Sequence, residues 1–266
     1  MFTRIDHIVI LVRELDHASE TYRGLGFQVV TGGEHPGGTH NALVAFRDGS
    51  YLELIAFQQP EQPSEHRWHR FLQSGGGLVD FALGVDDLAA ELDQIRARGL
   101  DYQGPVPGAR RRPDGEQVAW RLGQPVGDRT GELPFLIDDV TPRSVRVPGG
   151  AQAEHPNGVV GVRGVVVARR DLGEAADEWG RMLGVRPPAA ATDQALAAST
   201  VTFAVGCQQV VLAYPIGPAS PIAGRIQRQG DGPFELVLLA EGREAPLHYR
   251  PEDAEGARIL VEPEPR

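Results

Sequence analysis

Apolar and polar positions follow the same order in three segments of the chain. Each segment has an apolar stretch, an acidic turn, an amphipathic stretch and a glycine; the three are RIDHIVILVRELDHASETYRGLGF, LVDFALGVDDLAAELDQIRARGLDY and VRGVVVARRDLGEAADEWGRMLGV. Apolar residues recur at helical spacing from Leu15, Leu88 and Leu172 onward. The pattern predicts a repeated unit in which a strand leads into a helix that packs one face on a sheet.

Two β-rich stretches follow each predicted helix. They cover residues 41–46 and 51–57, 117–122 and 133–137, and 200–205 and 209–214. With a short strand after each closing glycine, the predicted unit is β-α-β-β-β. A fourth unit begins at residues 234–239 but lacks an amphipathic helix and ends after residues 259–261, so we expect it to be truncated.

The order of these units predicts an α+β fold with two similar halves. Residues 142–157 are rich in proline and glycine and show no apolar period, which is typical of a linker. We therefore expect a first domain of two units over residues 1–140, a linker over 141–157 and a second, degenerate half over 158–266. Units could pair within one chain or between two, so a homodimer is an open alternative.

Composition and charge narrow the classes of function. The formal net charge is −10, and all 26 basic residues are arginine. The acidic balance disfavours nucleic acid and anionic membranes as partners. The absence of lysine excludes Schiff-base and pyridoxal phosphate chemistry and a phosphate loop, and no nucleotide cofactor is expected.

Cys207 is the single cysteine, which fits a reducing compartment. The expected location is therefore cytoplasmic. No apolar run approaches the ~18 residues of a membrane span, so neither a membrane span nor a signal peptide is expected.

The first unit holds the best candidates for chemistry. His7 lies in the first strand on a face with Ile5 and Val9. Glu53 lies in an apolar strand, where a buried carboxylate is costly unless it is paired or binds a metal. The repeat places Asp80 at the position equivalent to His7, and such ligands suit a divalent cation with an open coordination position. The alternative is that His7 and Glu53 bind only each other or buried water.

A glycine-rich loop is the first candidate for substrate contacts. The sequence GGEHPGGTHNA at residues 32–42 carries His35, Thr39, His40 and Asn41 just before a strand. These side chains are expected to contact a substrate, and the alternative is a solvated loop.

The segment ARRRPDGEQVAWRL at residues 109–122 is the second candidate. A guanidinium group of Arg110, Arg111 or Arg112 could bind an anionic ligand, since guanidinium binds carboxylate in bidentate fashion. We take Arg111 and Trp120 as the expected substrate contacts. The alternative is a solvated hairpin.

The tandem units resemble the vicinal oxygen chelate superfamily, also known as the glyoxalase/bleomycin resistance/dioxygenase superfamily. The fragments IDHIVILV, GGEHPGGTHNALVAF and YLELIAF are similar to its glyoxalase-like branch, and the resemblance covers residues 1 to about 140 well and those from His155 onward more weakly. It implies curved mixed sheets whose cleft binds a divalent metal. Known members are isomerases, lyases, epimerases and ring-cleaving dioxygenases, and others bind drugs without a metal.

The resemblance also implies a ligand set. His7 and Glu53 match the two metal positions of the first unit, whereas Asp80 replaces the usual histidine or glutamine. Phe135 or Leu136 occupies the place of the last glutamate, so the implied site is incomplete. This argues against glyoxalase I activity and against ring cleavage with Fe(II). The second half keeps no histidine ligand and is expected to be structural or a wall of the pocket.

The leading expectation is a metal-dependent enzyme of the lyase or isomerase type that acts on a small oxygen-rich metabolite. His7, Glu53 and Asp80 would hold one divalent ion (Zn, Ni, Mn or Fe), and Glu53 could alternatively act as the general base. The alternative is a metal-free protein that sequesters a drug or metabolite in an apolar pocket lined by Trp68, Trp120 and Phe57. A third alternative is a degenerate scaffold that acts through protein contacts.

Overall fold

A computed structural model of the protein describes residues 1–265, and its first half contains two complete units. The first unit is β1 (Phe2–Leu11), α1 (Leu15–Gly24), β2 (Val30–Glu34), β3 (Thr39–Ala45) and β4 (Tyr51–Phe57). The second unit is β5 (Gly77–Val85), α2 (Leu88–Ala97), β6 (Tyr102–Arg111), β7 (Gln117–Pro125) and β8 (Phe135–Asp139). A 3-10 helix (His69–Ser74) joins the two units. The predicted β-α-β-β-β order is confirmed.

The helices begin at the leucines from which the apolar period starts. Asp87 caps α2, because its side chain accepts a hydrogen bond from the amide of Ala90, as expected from its place before the helix. Beyond the end of α1, Gly26 has a φ of 86°, a left-handed conformation that side chains with a Cβ rarely adopt. The acidic residue before α2 and the glycine after α1 therefore have local physical roles.

The eight strands of the first half form a closed barrel. Their order around the barrel is β1, β4, β3, β2, β6, β7, β8 and β5. The first strand of each unit pairs in parallel with the fourth strand of the same unit, β1 with β4 and β5 with β8, and β1 pairs antiparallel with β5. Closure leaves an inner face that is shielded from solvent, and the candidate site lies there.

The second half forms an open sheet of seven strands. Its elements are α3 (Arg143–Arg146), β9 (Val159–Ala168), α4 (Leu172–Leu183), β10 (Ala191–Asp193), β11 (Ala198–Val205), β12 (Gln208–Pro215), α5 (Pro221–Gln229), β13 (Gly232–Ala240), β14 (Leu247–Tyr249) and β15 (Ile259–Pro263). The fourth unit is truncated as predicted, since between β13 and β15 the described chain has only β14 and a short 3-10 helix (Pro251–Asp253). The sequence pattern did not predict α3 or α5.

One hydrophobic core crosses from the barrel to the open sheet. Trp179 of α4 is fully buried and stacks on Phe81 of β5, with 6.1 Å between ring centroids and 7° between ring planes. The side-chain oxygen of Gln208 accepts a hydrogen bond from the amide of Ile5 at 2.5 Å. One cluster of buried apolar residues includes side chains from both halves. The division into domains at residues 140 and 158 therefore stays a prediction. Among residues 1–265, no helix combines the length and apolar character needed to cross a membrane.

Candidate functional site

The barrel encloses a cavity of about 340 Å³. Strands β1, β3, β4, β6, β7 and β8 all contribute to its wall. Its polar lining residues are His7, His35, Thr39, Tyr51, Glu53, His66, Arg67, Arg110, Gln124 and Arg146, and its large apolar ones are Ile55, Trp68, Trp120, Leu122, Phe135 and Ile137. A concave site with apolar walls and a few convergent polar groups is typical of small-molecule binding.

A bulge in β1 brings two neighbouring residues together at this wall. The pairing of β1 with β5 passes from Ile5 to His7 and leaves Asp6 as an extra residue. The Nδ1 atom of His7 lies 2.8 Å from Oδ1 of Asp6. The bulge also reverses the face of Ile5, which packs outside the barrel with Ile8. The expectation that Ile5 shares a face with His7 was therefore wrong, because strict alternation ends at a bulge.

Asp6 keeps its negative charge although it is buried. Burial alone would raise its pKa, but Arg146, His7 and Arg143 hold the pKa well below the ordinary value. Arg146 donates from Nη1 to Oδ1 at 2.9 Å and from Nη2 to Oδ2 at 3.0 Å. An ionised Asp6 can only accept hydrogen bonds, so His7 donates to it from Nδ1 and turns Nε2 toward the site.

Glu53 lies opposite that nitrogen. The Nε2 atom of His7 is 3.6 Å from Oε2 of Glu53, and Asn41 donates from Nδ2 to Oε1 at 2.6 Å. His35 approaches from the other side, with its Nε2 atom 3.9 Å from Oε1. Burial raises the pKa of Glu53, but His7, His35 and Asn41 outweigh it and bring the pKa below the ordinary value. Glu53 is thus a charged carboxylate on the cavity wall, the form that accepts a proton.

The predicted loop residues divide between the wall and the layer behind it. His35 and Thr39 line the cavity and lie 2.9 Å apart, Nδ1 to Oγ1. His35 also packs edge-on against Trp120, which lines the cavity as well. Asn41 lies behind Glu53 and orients its carboxylate, and neither Asn41 nor His40 is part of the described lining. The substrate-binding roles of all of them stay predictions.

The arginine that faces the cavity is Arg110. Its side chain is buried and lines the cavity, whereas Arg111, the next residue in β6, is exposed on the opposite face. Arg112 forms an ion pair with Asp114 in the turn after β6. The expectation that Arg111 contacts a substrate does not agree with this placement, because side chains alternate along a strand and only Arg110 points inward.

Asp80 does not join His7 and Glu53. Its Oδ2 atom lies 2.9 Å from a guanidinium nitrogen of Arg67 and 2.9 Å from Nε1 of Trp68, and its Oδ1 atom accepts from the amide of Phe81. Burial raises its pKa, although Arg67 and Trp68 act against this rise. Both oxygens are already occupied, and one partner is a cation.

The predicted three-ligand metal set does not fit this arrangement. His7 and His35 lie 3.6 and 3.9 Å from Glu53, but within residues 1–265 no three histidine, cysteine, aspartate or glutamate side chains have the geometry of a metal site. His7 and Glu53 are adjacent, but the positive charge of Arg67 neutralises the third expected ligand and disfavours a dication nearby.

Phe57, predicted as an apolar wall residue, packs against His66 and His69 and is outside the described lining.

Several site residues were missed by sequence reasoning. Tyr51 stacks on the ring of His7, with 4.6 Å between centroids, and its hydroxyl accepts from Arg146 at 2.9 Å. The guanidinium carbon of Arg67 lies over the ring of Phe135, 4.8 Å from the ring centroid. Tyr51 could have been found from its place two residues before Glu53 on the same strand face. No local signal marks Arg146, since it lies in the segment predicted as a linker.

Comparison with known proteins agrees with this fold. A family model described as a glyoxalase-like domain matches residues 5–184. A hypothetical protein from Staphylococcus aureus superposes with a TM-score of 0.73 at 16% identity, covering 98% of this chain and 99% of that one. A mutant of 4-hydroxymandelate synthase from Streptomyces coelicolor superposes with a TM-score of 0.64 at 16% identity, covering 90% and 71% of the two chains. No curated protein sequence matches the chain.

Proposed function

The chain belongs to the glyoxalase-like domain family, and from that membership we propose that its barrel cavity is the active site of an enzyme that moves a proton on a small oxygen-rich molecule. The family match agrees with the resemblance to the vicinal oxygen chelate superfamily expected from the sequence. One observation carries the proposal: Asp6, His7 and Glu53 form a continuous line of acid–base groups that ends at the cavity wall.

Glu53 is the proposed base. Its carboxylate takes a proton from a carbon atom beside a substrate carbonyl. The electron pair of the broken C–H bond forms a C=C bond, and the π pair of the carbonyl moves to its oxygen to give an enolate. Return of the proton to a different carbon gives an isomerase, and loss of a neighbouring group gives a lyase. Glu53 is only 6% exposed, so bulk water has limited access to its carboxylate.

His7 is the proposed second acceptor. In its neutral form, His7 bears its proton on Nδ1, where Asp6 accepts it, and presents the lone pair of Nε2 at 3.6 Å from Oε2 of Glu53. The proton on Glu53 can pass to Nε2, and the charged imidazole that results is stabilised by the carboxylate of Asp6. Arg146 fixes Asp6 in turn and keeps it ionised.

The proposed function does not include the metal ion that the sequence predicted. Two of the three expected ligands, His7 and Glu53, are adjacent, while Asp80 is held by Arg67 and Trp68. We therefore assign the proton transfer to protein side chains alone.

The experiment is deuterium exchange at carbon, followed by proton NMR in D₂O. The probes are small aldehydes, ketones and 2-oxo acids with a C–H bond beside the carbonyl. The wild type should speed exchange of at least one probe, and Glu53→Gln should lower that rate by roughly 10²-fold or more, the usual effect of removing a general base. Glu20→Gln, on the exposed surface of α1, is the matched control and should keep the wild-type rate. Exchange by Glu53→Gln at the wild-type rate contradicts the proposal.

The aromatic walls favour a second candidate, a protein that binds a ligand without turning it over. Trp68 and Phe135 are buried beside the cavity, and Trp120 lines its other side. Such walls suit an apolar drug or metabolite. A ligand that raises the melting temperature while no probe exchanges deuterium would favour this candidate.

A further inference from the structure

One charged group in the cavity wall has no partner of opposite charge. Three guanidinium groups line the cavity, those of Arg67, Arg110 and Arg146. Arg67 is paired with Asp80, and Arg146 is paired with Asp6 and Asp139. Among the described residues, Arg110 has no carboxylate within ion-pair distance, although it is only 4% exposed.

The hydrogen bonds of Arg110 leave part of its donor set free. Its Nη2 atom donates to the backbone carbonyl of Arg146 at 2.7 Å, which fixes the plane of the guanidinium group. Its Nε atom is buried and has no acceptor within residues 1–265. Five N–H donors in a fixed planar fork can satisfy a carbonyl on one side and a second acceptor on the other. Because Arg110 lines the cavity, the donors that this carbonyl does not use are available to a bound molecule.

A buried charge without a partner is unfavourable to folding. Burial lowers the pKa of Arg110, and the carboxylate of Glu53 only partly opposes this effect. Glu53 attracts Arg110 through space, but its carboxylate is already held by Asn41 and lies beside His7. An anion delivered by a ligand would remove the cost of the unpaired charge, since charge-assisted bonds to guanidinium are among the strongest in proteins.

We infer that the molecule taken into the cavity carries a carboxylate group and that Arg110 binds it. The inference rests on the proposed function of the cavity and adds the chemical class of its substrate. A carboxylate matches the planar fork of guanidinium in size and geometry. The aromatic residues Trp68, Trp120 and Phe135 leave an apolar region for the rest of the molecule, so an aryl-substituted acid is the best first probe.

The test is isothermal titration calorimetry of the full chain with matched pairs of probes. The acids are phenylacetate and 3-phenylpropionate, and each is compared with its neutral primary amide of nearly the same shape. Benzylphosphonate is the third type of probe and distinguishes a phosphate-like ligand from a carboxylate. The wild type should bind at least one acid about tenfold or more tightly than its amide, which is the scale of one charge-assisted hydrogen bond.

Variants assign that preference to one residue. Arg110→Gln should remove the preference for acid over amide, whereas Arg111→Gln, its exposed neighbour on the same strand, should keep it. If Arg110→Gln fails to fold, Arg110→Lys keeps the charge but loses the planar fork and should show a reduced preference. The ratio of the wild-type dissociation constants for the acid and its amide tests the inference without any variant.

Four results overturn the inference: amides that bind as tightly as acids, a preference that survives in Arg110→Gln, no binding by either acid, and tighter binding of the phosphonate. Glu53→Gln separates this inference from the proposed function. It should keep the preference for acids even though it loses deuterium exchange. Loss of exchange tests the chemistry, and loss of the preference in Arg110→Gln tests the substrate class.

Discussion

The imidazole of His7 is hydrogen bonded to the carboxylate of Asp6, the residue directly before it, with 2.8 Å between Nδ1 and Oδ1. In a regular strand, neighbouring side chains point to opposite faces and cannot meet in this way. The bulge at Asp6 makes the contact possible and turns two sequence neighbours into a buried acid–base pair. Such bulges often lie next to active sites, where they redirect a side chain.

Replacement of Asp6 by asparagine should destabilise the protein strongly. Arg143 and Arg146 would lose their shared carboxylate, and removing one partner of a buried ion pair typically costs about 3–5 kcal/mol. Urea denaturation followed by circular dichroism measures the free energy of unfolding. Asp177→Asn, on the exposed side of α4, is the control and should change it by less than about 0.5 kcal/mol. Equal stability of the two variants would show that the ion pairs of Asp6 contribute little.

Stability should fall as the pH drops from about 6.5 to about 4. Burial lowers the pKa of His66 to about 4, with Arg67 adding to the effect, and burial also lowers the pKa of His35. In this range the unfolded chain, with a histidine pKa of about 6.5, binds more protons than the folded chain, so acid favours unfolding. His66→Gln should therefore show a smaller loss of stability between about pH 6.5 and about pH 4 than His17→Gln, an exposed control on α1. Identical pH slopes in the two variants would contradict the lowered pKa of His66 in the folded protein.

A further loss of stability is expected at still lower pH. The pKa values of Asp6 and Glu53 are lowered in the folded state, so their stabilising effect is present above the ordinary carboxyl pKa of about 4 and disappears as the pH falls through the folded values. Asp80, with a raised pKa, acts in the opposite direction. Acid unfolding curves of Glu53→Gln and the wild type should converge as the pH falls below the ordinary carboxyl range. A constant difference between the curves down to the acid limit would argue against ionised Glu53 in the fold.

The protein is expected to bind divalent metal ions weakly. Both oxygens of Asp80 are hydrogen bonded, and Arg67 supplies the positive charge that a metal would otherwise bring. Protein prepared without chelator or nickel affinity steps should contain far less than one ion per chain, as measured by mass spectrometry, and His7→Ala should contain the same amount. About one ion per chain in the wild type, lost in His7→Ala, would instead support the metal set predicted from the sequence.

Trp179 should be a major contributor to stability. Its indole is fully buried between Phe81 of the barrel and Phe203 of the open sheet. Replacement of a buried tryptophan by alanine typically costs about 3–5 kcal/mol, partly because a cavity remains. Tyr214→Ala, an exposed aromatic on β12, is the control and should have a small effect on chemical denaturation. A small effect of Trp179→Ala would show that the two halves are stable independently.

The sequence was sufficient to predict the repeated unit and the first residue of its three long helices. Helical period and capping are local properties, so Leu88 and Asp87 could be placed from their neighbours alone. His7 and Glu53 could be paired because the unit repeats and because a carboxylate in an apolar strand needs a partner.

The rest of the site depends on contacts that no local pattern encodes. The bulge at Asp6 interrupts alternation without a glycine or proline to mark it. Arg146 meets Asp6 across 140 residues of chain, and Arg67 reaches Asp80 from an irregular segment after β4. The choice between Arg110 and Arg111 depended on the strand register, because a shift of one residue exchanges the inner and outer faces.

The arginines of α3 lie outside the eight strands, yet they neutralise the buried carboxylate of Asp6 in the barrel. A chain cut after residue 140 would keep every strand of the barrel and lose Arg143 and Arg146. Asp6 would then be a buried anion with only His7 beside it, so protonation would become favourable and the tautomer of His7 would no longer be fixed. The smallest segment able to perform the proposed chemistry is therefore longer than the smallest segment able to close the barrel, and minimal fragments of this protein should be designed by charge as well as by topology.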